Sequence, residues 1–138
     1  IASVMENAPG AVHVYDKFHV VNLVNGAVDA VRRSVYAQET DLEKRKIIKG
    51  SRWLLLTKDK DVFDDEKKRR LDNILQTNKP LFHAYYLKED LGQIWMQNSK
   101  EEGEKQRRYW CERARETKLK PFIKVANTLM AKRTGILA

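Results

Sequence analysis

The chain has 138 residues, 42% hydrophobic and 33% charged, which suits one domain with a real core at the ~100–200 residues usual for a domain. Lys plus Arg exceed Asp plus Glu by 27 to 19, a net charge of +8; an anionic partner, nucleic acid first, competes with the plainer reading of a well-solvated helical surface. The single cysteine excludes an internal disulfide, no Cys/His cluster suggests zinc, and no apolar run approaches the ~20 residues of a membrane span, so a soluble protein of a reducing cytosol is expected.

The start, Ile1-Ala2-Ser3-Val4, is unlike a signal peptide, and both ends are expected to be cut from a longer chain. Residues 1–6 read as the end of a helix closed by Asn7-Ala8-Pro9-Gly10. Val12 and Val14 then alternate with His13 and Tyr15, so Ala11 to Tyr15 is predicted to be a short strand. From Lys17 the spacing changes. Val20, Val24, Ala27, Val28, Val31 and Val35 recur at three and four residues, which predicts an amphipathic helix to about Tyr36. Asp16 stands at the junction of the two.

The remainder reads as helices. Thr40-Asp41-Leu42-Glu43 has capping-box spacing and opens a helix that Gly50-Ser51 interrupts. Arg52 to Leu56 is open between a helical turn and a strand. Asp64 is predicted to cap a helix whose Leu71, Ile74 and Leu75 face inward and which stops near Thr77-Asn78. Pro80 fits a first turn, followed by the apolar stripe Leu81, Ala84, Tyr85, Leu87, Leu91, Ile94 and Trp95. Ser99-Lys100-Glu101-Glu102 is a second capping box, opening a charged helix to about Thr117 with Tyr109, Trp110 and Ala114 inside. Pro121 opens the last helix, which buries Phe122, Val125, Ala126, Leu129 and Met130 and closes on Lys132, Arg133 and Gly135.

Charge rises along the chain. Residues 1–38 hold 3 basic and 3 acidic side chains, residues 39–98 hold 13 and 11, and residues 99–138 hold 11 and 5. The candidate anion contacts, DNA among the possible partners, are therefore Arg107, Arg108, Arg113, Arg115, Lys118, Lys120 and Lys124. Glu101, Glu102, Glu104, Glu112 and Glu116 are expected to neutralise part of that surface through pairs three or four residues apart. Trp53, Trp95 and Trp110 read as core anchors rather than base-stacking platforms. His83 reads as a surface or interface residue, and Cys111 as a thiol with cationic neighbours but no nucleophile's support. By position alone Asp16 is either a helix cap or a carboxylate able to reach a metal, and the role of His19 is open.

Val12-His13-Val14-Tyr15-Asp16-Lys17-Phe18-His19-Val20-Val21, with Leu23-Val24-Asn25 and Ala27-Val28-Asp29-Ala30-Val31-Arg32-Arg33 behind it, resembles the segment around the second catalytic aspartate in transposases of the ISL-three family of bacterial insertion sequences. Lys49-Gly50-Ser51-Arg52-Trp53-Leu54-Leu55-Leu56 is similar to that family's next block. The resemblance implies a ribonuclease H-like α/β core with two aspartates and a glutamate on Mg²⁺ or Mn²⁺. Hard cations prefer such oxygen ligands, and a metal pair activates the attacking oxygen and stabilises the leaving one in phosphodiester displacement.

On that reading residues 1–38 are a piece of the catalytic core and residues 39–138 a helical insertion, so the fold class is mainly α, a bundle-like insertion preceded by one short strand and a helix. Asp16 is the catalytic and metal-binding aspartate. Its two partners are expected before Ile1 and after Ala138, so the chain alone is expected to hold no metal and cut no DNA. The implied partners are transposon-end DNA and further copies of the intact protein. The competing reading is a noncatalytic basic helical module that binds nucleic acid or protein, with Asp16 a cap. A lone strand has unpaired edges, and Ala11 to Tyr15 is expected to be irregular, disordered or paired with another copy.

Overall fold

A computed structural model describes residues 9–62 and 64–131, with side chains from residue 17 onward. Among the described residues seven α-helices follow one another: α1 (Pro9–Gln38), α2 (Leu42–Lys49), α3 (Arg52–Leu56), α4 (Asp65–Thr77), α5 (Lys79–Asp90), α6 (Lys100–Glu116) and α7 (Lys120–Ala131), with 3₁₀ turns at Asp59–Asp61 and Leu91–Met96. The described residues contain no strand, and the fold is mainly α.

The strand predicted at Ala11 to Tyr15 is corrected: those residues lie in the early turns of α1. Four alternating residues are too few to separate the two periods. A strand also needs a neighbour to receive its amides, whereas a helix closes its hydrogen bonds within itself.

Helix α1 is the axis of the core. Val20, Val24, Ala27, Val28 and Val31 are at most 5% exposed and share one apolar cluster with residues of α3 to α7. Helix α1 touches α2, α3, α5 and α7. Valine disfavours a helix by no more than about 0.7 kcal/mol, while burying its side chain contributes roughly 1.5 kcal/mol or more. Burial wins at each position.

The caps explain the breaks. Asp41, not Thr40, caps α2 by accepting from the Lys44 amide, and the Glu39 carboxylate accepts from the amides of Thr40 and Asp41. The capping box expected at Thr40–Glu43 is thus replaced by a simple cap one residue later, because the third helical position falls on Lys44. Asp64 caps α4, Asn78 caps α5 with Pro80 in its first turn, and Ser99 caps α6. Backbone amides donating to Asp64 hold its carboxyl below the usual carboxylate range. Arg52–Leu56 is the helical alternative of the two left open.

Helices α6 and α7 form an antiparallel hairpin, since Arg115 bonds Asn127, Cys111 faces the Ala126 carbonyl and Arg107 reaches the Leu129 carbonyl. Trp110 is buried and donates through Nε1 to the Leu87 carbonyl at 2.8 Å. Two expectations fail. Tyr109 is 55% exposed, its inner place taken by Arg107 and Cys111, and Trp53 is 53% exposed with the Lys67 ammonium over its ring rather than in the core. The closing residues Lys132, Arg133 and Gly135 lie outside the described residues.

Two polar arrangements pin the periphery. Asp29 on α1 receives Arg32 at 2.9 Å, Arg33 at 3.4 Å and Arg52 of α3 at 3.3 Å, while Arg32 also reaches the Lys49 carbonyl. Lys88, only 7% exposed, pairs with Glu89 at 3.0 Å and donates to the Thr57 carbonyl. Desolvation lowers its pKa, with Glu89 opposing. Tyr85 donates to Asp59 across the same joint, and burial raises its pKa.

Asp29→Asn removes the charge that three arginines share at a carboxylate only 18% exposed. A charged hydrogen bond contributes about 1.5–3 kcal/mol, so Tm should fall by roughly 4–10 °C in a thermal melt. Burial pushes the Cys111 thiol from 9.0 up to about 11, although Arg107 and Arg115 pull it down. Its stabilising effect is therefore whole below pH 9 and is lost as pH rises through about 11. Cys111→Ala should flatten the alkaline fall of Tm across that window, and the native thiol should resist maleimide at neutral pH.

Candidate nucleic-acid interface

The structure divides the basic residues into two groups. Arg107 is fully buried, paired with Glu104 and donating to the Leu129 carbonyl and the Met130 sulfur. It holds α6 to α7 and cannot meet a phosphate, so it leaves the set of DNA contacts. A buried guanidinium needs its acceptors, because an uncompensated charge there costs several kcal/mol.

The outward group is Arg108, Arg115, Lys118, Lys120 and Lys124, all exposed. Among the described residues none of the five forms an ion pair; Arg115 bonds only the Asn127 amide oxygen. The neutralisation expected from α6's own glutamates is limited to the Glu104–Arg107 pair. Arg113 is half-buried, pairs with Asp90 at 2.8 Å and lies over the Tyr109 ring.

Between the start of α5 and the end of α6 lies a groove of about 610 Å³ lined by Lys79, Phe82, His83, Tyr86, Arg113 and Lys118, with Glu116 as its one acid. Phe82 and Tyr86, one helical turn apart, are 42% and 41% exposed, their ring centroids 4.8 Å apart. His83 meets the Phe82 ring edge-on. Lys118 follows α6 with φ at 61°, the left-handed position that glycine usually fills after a helix. A lysine there costs about 1–2 kcal/mol.

Sequence reasoning passed over Lys79, Phe82 and Tyr86. The signal was available: Phe82 and Tyr86 fall off the Leu81, Ala84, Tyr85 stripe at a spacing of four, so two aromatics share the outer face of α5.

Asp16 lies inside α1, seven residues past Pro9, with its side chain outside the described residues. The strand-to-helix junction expected there is absent, and so is the helix start that a capping role requires. His19 is exposed. A divalent cation needs several oxygen ligands, and the described residues contain no group of three His, Cys, Asp or Glu side chains able to hold one. No helix among the described residues is long and apolar enough to cross a membrane.

The family model for DDE transposases of the ISL3 type, described as "Transposase", matches residues 1–138. Among curated proteins, the transposase for insertion sequence element IS1001 of Bordetella parapertussis is 34% identical over 137 residues, covering 98% of this chain and 34% of its own length. The transposase for IS1557 of Mycobacterium tuberculosis is 25% identical, covering 96% of this chain and 34% of its own length. No solved structure matches. The chain thus spans about a third of the relatives it matches, and over its whole length it belongs to the ISL-three family of DDE transposases.

Proposed function

We propose that the chain serves in metal-dependent cleavage and strand transfer at transposon ends, as part of a longer DDE transposase. The observation that carries this reading is the family match across residues 1–138; relatives named as insertion-sequence transposases support it. In this reading Asp16 is one of three carboxylates that hold Mg²⁺ or Mn²⁺ in a ribonuclease H-like core, the other two lying elsewhere in the intact protein. The metal would activate the attacking oxygen and stabilise the leaving one. Residues 1–38 belong to that core and residues 39–138 to an inserted helical part. The division is one of role, because the described part of α1 shares its apolar core with the later helices.

The basic surface of α6 and α7 is assigned to the DNA backbone. Five outward cations without ion pairs among the described residues suit phosphate contacts, which position a protein without reading sequence. The assembly is a homo-oligomer on its DNA, working in the bacterial cytoplasm.

A second reading, a noncatalytic basic module, draws on the helical surroundings of Asp16. One experiment separates the two. In the intact transposase with Mg²⁺, Asp16→Asn should reduce strand transfer to background and leave DNA binding within about twofold; retained transfer would overturn the catalytic role. Replacing Arg108, Lys120 and Lys124 together with Gln should lower the slope of log Kobs against log salt by up to about 2.7, at ~0.9 per phosphate contact on duplex DNA. An unchanged slope would move the interface elsewhere.

A further inference from the structure

We propose that the groove between α5 and α6 binds unstacked, single-stranded nucleic acid, holding a base against Phe82 and Tyr86 and its phosphates against Lys79 and Lys118. This deepens the DNA-binding reading above and rests on it for the nature of the ligand.

Three observations converge on the groove. Its wall is aromatic where an ordinary surface helix is polar: two neighbouring rings on α5 are each more than 40% exposed. Such rings offer flat apolar faces to which any base can stack, and stacking needs a base freed from its duplex neighbours. Its rim is cationic. Lys79 and Lys118 form no ion pair among the described residues, and both flank the aromatic pair, so charge complementarity selects a polyanion. Its size is suitable, since about 610 Å³ falls within the ~300–1,000 Å³ of small-ligand clefts.

A duplex is the poorer occupant. Its bases are stacked on one another inside the helix, so a duplex offers the rings no free base face. An acidic peptide would meet the lysines but leave the rings without a stacking partner. Arg113 adds little charge, because Asp90 holds it at 2.8 Å, and Glu116 on the rim discourages anionic ligands that offer no stacking to offset it.

Lys118 gives the groove a built-in control. Its left-handed φ of 61° is strained for lysine and natural for glycine. Lys118→Gly should therefore raise Tm while weakening binding, two changes that damage to the fold cannot produce together.

The test uses the intact transposase in EDTA, with fluorescein-labelled oligo(dT) and a blunt duplex of equal length read by anisotropy. Phe82→Ala/Tyr86→Ala should weaken oligo(dT) binding about tenfold or more and change duplex affinity by less than twofold. Tyr86→Phe alone should keep native affinity, since the ring and not the hydroxyl is used. Unchanged oligo(dT) affinity in the double alanine variant, an equal loss on duplex, or displacement of oligo(dT) by polyglutamate at equal charge would each overturn the proposal. Failure of the catalytic reading is seen separately, in the strand transfer of Asp16→Asn, because binding in EDTA does not involve a metal-dependent step.

Discussion

The packing of the molecule follows from one apolar seam. Val20, Val24, Val28 and Val31 form a stripe along α1 that is closed from water by helices arriving from the rest of the chain. A helix so rich in β-branched residues is poorly stable in isolation, because those side chains lose rotamer freedom against the preceding turn. It persists because its partners bury it. Leu81, Tyr85 and Leu129 of its partners belong to the same cluster. Helix α1 and the later helices are for this reason one folding unit, even where their proposed roles differ.

Within that unit the positive charges do two kinds of work. Arg32, Lys88 and Arg107 are shielded and spend their hydrogen bonds on joints: α1 to the α2–α3 corner, α5 to the loop at Thr57, and α6 to α7. Their environments are complementary, each with a carboxylate within reach. Arg108, Lys118, Lys120 and Lys124 face water instead. A formal charge of +8 says nothing about this partition, which depends on which face of each helix the core claims.

The helices after residue 40 were legible because periodicity and caps agree. Asp64, Pro80 and Ser99 each mark a start, and the stripes of α4, α5 and α7 are buried largely as their spacing indicates. Where local signals were short, they misled. Ala11 to Tyr15 has too few residues to fix a period, and Arg52–Leu56 was undecidable for the same reason. The helix α6 was legible in extent but not in rotation: Arg107 was read as surface by its charge and Tyr109 as core by its ring, and the two exchange places. Charge and apolarity of single residues are weak guides when a long side chain can find a buried partner such as Glu104. The candidate site suffered equally, since the groove joins α5 to α6 and no sequence spacing connects Phe82 with Lys118.

The continuity of α1 has a mechanical meaning. Thirty residues in one helix make a rod of about 45 Å at the ~1.5 Å rise of an α-helix, and its described part from Val20 to Val31 is clamped on several sides. Between the turn that carries Asp16 and this clamped section there is no loop in which a displacement could be absorbed. Within Pro9–Gln38 the Asp16 turn is therefore joined to the clamped section by unbroken helix.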